Sequence, residues 1–422
     1  MSDSTAPTSA SPLGGRFWAF WSAALASNLS DGVAMIAMPW LASSLSPDNA
    51  ALVALVATAG RLPWLLLALP AGVFVDRSPR FTLMVRANSL RLVLWAVLAL
   101  VVFTGWTSIP LLAFFAFCFG AMEVCYDTAA ETAVPALVPR ERLERANGHV
   151  RSGAVVAQEF VGRPLGGFAL TLGPALPFLF NIAALLVSVV ALARIPVRTT
   201  EHPKAPAGRG MRGVFSDVVE GVQALWNRPL LRAVAIISVF FNTAYATLLS
   251  TQVLFVRDTL GSGPTGFGLL MAFAAVGSIV GGQSVAWLRS VLPHGTLPVW
   301  SLAAVAVLYL GVAVFPNVPV VAAAYFLSGG LVMGYSVAMT SIRQRVTPDH
   351  LLGRVNAAMR TVGWGMSAVG MAAGGVLVAS LAPALGQADA LRVPYTLVSV
   401  VGLVVVVFFG RRLTGLVREY DV

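Results

Sequence analysis

Pro139-Arg140-Glu141-Arg142-Leu143-Glu144-Arg145-Ala146-Asn147 and Pro348-Asp349-His350-Leu351-Leu352-Gly353-Arg354-Val355-Asn356 lie 209 residues apart in a chain of 422. Proline falls on proline, leucine on leucine, arginine on arginine and asparagine on asparagine. Further on, Arg151-Ser152 falls on Arg360-Thr361, and Gly166 falls on Gly375. A run of this kind at the same place in each half marks an internal duplication. In each half it follows the fourth apolar stretch. The chain therefore reads as two parallel repeats of six spans, with a substrate site at their interface near mid-membrane.

Composition agrees with that reading. The chain is 57% hydrophobic and 11% charged, with a mean hydropathy of +0.81. Soluble domains carry about 25% charged residues, so an ordinary soluble enzyme is excluded. A spanning helix needs about 20 apolar residues. Stretches of that kind are expected at 17–45, 50–75, 82–104, 109–133, 147–171 and 175–193, and again at 230–256, 265–288, 296–315, 318–342, 355–382 and 393–411. The predicted organisation is a polar tail over 1–16, a six-helix bundle over 17–193, a linker over 194–229, a second bundle over 230–412 and a tail over 413–422. In the linker, Val214, Val218, Val222 and Leu225 have the spacing of a short amphipathic helix.

Single residues close other possibilities. The one lysine, Lys204, follows His202-Pro203 rather than glycines, so there is no P-loop. Cys118 and Cys125 stand about 10 Å apart along one helix, too far for a disulfide. All four histidines sit in connectors or at span ends, which leaves proton chemistry inside the bilayer to carboxylates. No metal or cofactor site is expected.

Arginines mark one face. They follow the second, fourth, sixth, eighth, tenth and twelfth spans, while the intervening connectors hold only Arg257 and Arg392. By the positive-inside rule both termini are cytoplasmic. The net charge of +10 then reports orientation and attraction to anionic lipid, not a nucleic-acid surface.

Between the second and third spans stands Gly72-Val73-Phe74-Val75-Asp76-Arg77-Ser78-Pro79-Arg80. It resembles the loop signature of the major facilitator superfamily, with Pro79 where glycine is usual and Phe81 where a second basic residue is common. Val134-Pro135-Ala136-Leu137-Val138-Pro139, Ser27-Asn28-Leu29-Ser30-Asp31 and Pro39-Trp40-Leu41 resemble the exporter branch that contains enterobactin and macrolide efflux proteins. Gly162-Arg163-Pro164-Leu165-Gly166-Gly167 is similar to the antiporter signature of drug exporters, with Arg163 in the proline position. The resemblance implies the major facilitator fold: an all-α membrane protein of twelve helices in two pseudo-symmetric six-helix bundles. It also implies a conformational latch of Gly72, Asp76, Arg77, Arg80, Glu131 and Arg354. In that latch Arg80 or another loop arginine meets Glu131, and Asp76 faces the start of the eleventh span near Gly353-Arg354.

Charges inside a bilayer are paired, face water or function. Asp31 and Arg61 both lie about 22 Å deep and are expected to pair; a structural pair and a coupling role remain alternatives. Glu123, Asp127 and Glu131 occupy one face of the fourth span. Glu123, about 18 Å deep, is level with Arg91. Glu159 and Arg163 stand at i, i+4 and can neutralise each other. One carboxylate is left over in this count, and Glu123 is read as the acid that exchanges the coupling proton, ahead of Asp31. The spans of the second half are read as free of internal charge. Asn28 in the first half, with Asn242, Tyr245, Tyr335 and Trp364 in the second, is a candidate lining of a cavity for an amphipathic substrate.

The combined expectation is a monomeric secondary transporter in a bacterial cytoplasmic membrane, exporting a small amphipathic compound in exchange for protons. A facilitator or importer whose buried acids are purely structural is the alternative. A receptor or assembly factor would need a large extramembranous domain, and the short connectors leave no room for one.

Overall fold

The computed structural model describes residues 13–76, 78–195, 211–291 and 296–419. Among them there is helix and no strand. The first half contains α1 (Gly15–Leu45), α2 (Ala50–Asp76), α3 (Arg80–Phe103) and α4 (Ile109–Ala133), then α5 (Leu143–Val155), α6 (Arg163–Leu172) and α7 (Leu176–Ala193). A connecting helix, α8 (Met211–Asn227), leads into the second half. There follow α9 (Pro229–Leu254), α10 (Pro264–Val291), α11 (Leu297–Val314), α12 (Val318–Val346), α13 (Asp349–Leu385), the short α14 (Gln387–Ala390) and α15 (Val393–Glu419).

Local chemistry sets several of the ends. Gly105, at φ 75°, closes α3: its amide donates to the Val102 carbonyl and the Trp106 amide to that of Val101. This is the Schellman pattern, which a glycine adopts without strain. The Asn317 side chain accepts from the Val320 amide and caps α12, with Pro319 where no helix donor is needed.

Ten helices among the described residues are long and apolar enough to cross a membrane. Two further rods fall outside that set. One is α1, which buries Ser27 and Ser30 and carries Asp31. The other is the rod over 143–172, which holds Arg145, Arg151, Glu159 and Arg163. The second rod is also broken: Val156–Gly162 is wound as a π-helix between α5 and α6, where an uninterrupted span is expected. Pro164 is the physical reason, since it has no amide to offer the Phe160 carbonyl and its ring crowds that carbonyl. Widening the turn relieves both, and such π-turns recur at functional sites.

The duplication is legible in the packing. Within the first half α2 packs on α4, α1 on α7, α3 on α7, α3 on α4, and α1 on the π-turn and α6. The second half repeats each pairing: α10 on α12, α9 on α15, α11 on α15, α11 on α12, and α9 on α13. The halves meet through α2 against α13 and α6 against α10, again related by the repeat. Three small-residue pairs sit at these contacts. A side chain at Gly162 or Gly166 would meet α1 backbone, one at Gly277 or Gly281 would meet α12, and one at Gly370 or Gly374 would meet α9.

Three extents differ from expectation. Helix α12 continues past residue 342 to Val346, α13 begins at Asp349, and α15 runs on to Glu419. Arg343 thereby becomes helical and, as shown below, lines a cavity. With Arg232 in α9 and Arg360 in α13, it corrects the reading that the second-half spans lack charge.

Candidate functional site

Between the halves lies a cavity of about 260 Å³. Asp31, Arg61, Arg91, Glu123 and Arg163 reach it from the first half. Leu249, Gln252, Phe267, Met271 and Met371 close it from the second. This apolar wall has no signature in the sequence, because methionine and phenylalanine in a span carry the same pattern whether they face lipid or a cavity.

Arg91 is held on several sides. It is 2% exposed and ion-paired with Asp31. Its guanidinium also donates to Ser27 Oγ at 3.1 Å and to Asn88 Oδ1 at 3.2 Å. Asn88 in turn donates to Ser188 Oγ at 2.9 Å, which ties α3 to α7. The expected partner of Asp31 was Arg61, so this is a correction. Counting residues along two helices matches depth but not facing, and α1 and α3 face each other across their shared neighbour α7. Arg61 instead stands on the cavity wall.

Glu159 and Arg163 pair across the π-turn at 2.8 Å. The arginine also lies 3.6 Å from the Met35 sulfur. Glu123 is the remaining acid of the cavity. Among the described residues it has no ion pair and no hydrogen bond. Asp127, one turn along α4 toward the arginine-rich face, is half-buried and lines neither cavity described here.

A second cavity of about 570 Å³ adjoins the first, sharing Arg61, Leu249 and Met371 with it. It extends toward the arginine-rich face between α9, α12 and α13, where Asn242, Tyr335, Arg343 and Asn356 line it. Tyr335 meets Ser238 at 3.2 Å. Of the other candidates, Tyr245 is stacked between Phe241 and Tyr309 in an aromatic core. Asn28 donates to the Ala24 carbonyl of its own helix at 2.8 Å. Neither lines either of these two cavities.

On the arginine-rich face, Arg80 reaches the end of α4 and donates to the Thr132 carbonyl at 2.7 Å; Glu131 is exposed there. Arg354 pairs with Glu220 of α8 at 2.8 Å. Gly221 lies so close to the Arg354 carbonyl that only glycine fits. Gly72 has open space around it. Arg77 lies outside the described residues, as do the side chains of Asp76 and Trp364. On the opposite face, Arg257 bridges the halves by donating to the Ser43 carbonyl and, at 3.2 Å, to that of Pro47.

Comparison with known proteins places this geometry. The model of the family described as transmembrane secretion effector matches residues 7–414. The multidrug efflux pump Tap of Mycolicibacterium fortuitum is 27% identical over 393 residues, covering 90% of this chain and 93% of the relative. A bacterial homologue of the iron transporter ferroportin, in an inward-facing state, superposes with a TM-score of 0.72 at 17% identity over 93% of this chain and 98% of the other. A bacterial homologue of the human lysosomal transporter Spinster, inward-facing and occupied, gives 0.73 at 14% identity over 94% and 96%.

Proposed function

The chain belongs to the transmembrane secretion effector family of major facilitator transporters, and from that premise we propose that it exports a small amphipathic compound in exchange for protons, by alternating access. In this reading α1 and the broken rod over 143–172 cross the membrane beside the ten apolar helices, making twelve spans. Both termini are cytoplasmic, and the membrane is the bacterial cytoplasmic one. The arginine asymmetry supports that orientation, and the efflux relative supports the direction of transport.

One observation carries the coupling. Three acids stand in or beside the inter-half cavity, and two of them have an arginine: Asp31 has Arg91 and Glu159 has Arg163. Glu123 faces the cavity without such a partner among the described residues. A carboxylate in that position takes up a proton from whichever side the cavity opens to, at lower cost than one whose protonation strands a buried base. Arg61 lines both this acid's cavity and the larger one beside it. Substrate and proton thus act on one region, so the protonation of Glu123 and the occupancy of the cavity bias the same conformational equilibrium.

The contacts that join the halves on the arginine-poor face, Arg257 to the α1–α2 turn and Gly167 to Pro264, support assignment of this conformation to the state open toward the cytoplasm. The test is uptake by everted vesicles under an imposed pH gradient, across cationic, neutral and anionic amphiphiles. Accumulation that collapses with a protonophore is expected for at least one class. Accumulation insensitive to the gradient for every transported compound overturns proton coupling.

A further inference from the structure

The second cavity is one-sided in charge. Arg61 and Arg343 line it, and no aspartate or glutamate does among the described residues. The rest of its wall is neutral: Ser238, Asn242, Tyr335, Ser336, Thr340 and Asn356 are polar, while Phe241, Val332, Met339, Met359 and Met371 are apolar. At about 570 Å³ it has the size of a ligand site.

Two polar atoms there lack partners. Arg343 Nε and Asn356 Oδ1 are buried with no hydrogen bond among the described residues. Arg343 is half-buried with no ion pair among the described residues, and the desolvation of its guanidinium is offset when an anion arrives. The planar guanidinium is suited to grip a carboxylate or phosphate with two parallel hydrogen bonds. Asn356 Oδ1 offers an acceptor for a hydroxyl or amide on the same ligand. The methionines adapt to apolar bodies of varied shape. A cationic amphiphile can fill the apolar wall but leaves the Arg343 guanidinium without a counter-charge and sets a like charge beside it.

We propose that this cavity binds amphipathic organic anions, with Arg343 as the ligand for the acidic head and the Phe241 and methionine surface as the seat of the apolar body. The proposal rests on the exporter reading for its physiological sense and adds to it the substrate class. Binding itself needs no gradient, so its test stands apart from that of coupling.

The test uses the full chain in nanodiscs of zwitterionic lipid. Three probes share one body and differ in the head: pyrenebutyrate, pyrenebutanol and pyrenebutyltrimethylammonium. Energy transfer from the protein's tryptophans reads binding, with empty nanodiscs subtracted. Pyrenebutyrate is expected to bind at least tenfold more tightly than the ammonium probe. Arg343→Gln should weaken pyrenebutyrate about tenfold and leave pyrenebutanol within twofold, which also shows that the cavity is intact; Arg343→Lys should recover part of the loss. Displacement of pyrenebutyrate by oleoyl lysophosphatidate assigns a lipid anion, and displacement by naphthyl phosphate alone assigns a soluble one. Equal or tighter binding of the ammonium probe overturns the proposal, as does unchanged pyrenebutyrate affinity in Arg343→Gln. Should that variant not fold, the ranking of the three heads in the native protein still decides.

Discussion

Arg91 of α3 is ion-paired with Asp31 of α1 while also bonded to Ser27 and Asn88, so one guanidinium gathers two helices of the first half. Removing one member of a buried pair leaves the other uncompensated, at a cost of about 3–5 kcal/mol. Asp31→Asn and Arg91→Gln are each expected to lower thermal stability in detergent by that order. A double variant that removes both charges should lose less than the sum of the two. Additive losses would mean that the pair is not coupled.

Glu123 predicts a different phenotype. Glu123→Gln keeps the shape and removes a carboxylate that has no ion pair among the described residues. The protein should insert and melt as the native one does, within about 0.5 kcal/mol. Gradient-driven transport should vanish while downhill exchange of substrate persists and loses its dependence on pH. Retained proton-driven transport in this variant excludes Glu123 as the carrier.

The duplication, the apolar spans and the arginine asymmetry were legible because hydropathy and charge placement act along one dimension, the membrane normal. What they do not contain is rotation about each helix axis. Asp31 and Arg61 are matched in depth, yet Asp31 turns to Arg91, because Ser27 and Asn88 complete a socket for that guanidinium. The pair Glu159–Arg163 was readable at i, i+4 and survives the π-turn that Pro164 imposes. Arg343 was hidden by its position next to Arg345 and Pro348, which reads as a connector. Only the continuation of α12 to Val346 brings it to a cavity wall.

Close backbone contact supplies a stability prediction. A side chain at Gly277 would meet the Phe326 carbonyl of α12, and one at Gly374 would meet the Thr247 backbone of α9. Backbone cannot yield as a flexible side chain does, so each helix pair must separate. Gly277→Val and Gly374→Val are expected to cost about 1–3 kcal/mol, the range for overpacked cores. Gly72→Ala, with open space around it, should cost far less. Thermal unfolding of the three variants side by side checks the order.

The connecting helix separates charge from fit. Arg354 pairs with Glu220, whose side chain is 48% exposed, and an exposed pair is worth about 0–1 kcal/mol. Gly221 meets the Arg354 carbonyl and the Ala358 side chain directly. Glu220→Gln should therefore leave the melting temperature and transport nearly unchanged, whereas Gly221→Leu should lift α8 from α13 and change both. Tryptophan fluorescence, with Trp226 on α8 as a reporter, checks whether the helix has moved. Equal effects of the two substitutions would make the ion pair the main fastening.

Arg257 offers a test of gating. Its guanidinium, carried on the π-turn after α9, donates to the carbonyls of Ser43 and Pro47 in the other half. It also holds Asp258 of its own turn, at 2.6 Å. Nothing else in this contact depends on a side chain of the first half, so truncation at Arg257 removes the bridge without altering α1 or α2. Hydrogen bonds from a charged donor contribute about 1.5–3 kcal/mol, and a change of that size moves a balanced two-state equilibrium roughly tenfold or more. Arg257→Ala should therefore raise the population open on the arginine-poor face, read as faster labelling of a cysteine placed at Ser43 and as a longer spin-label distance between the α1–α2 and α9–α10 turns. Arg257→Lys, which keeps the charge but loses the fork, should fall between the two. Unchanged labelling and distances in Arg257→Ala would assign closure of that face to the small-residue contacts at Gly167 and Gly375 alone.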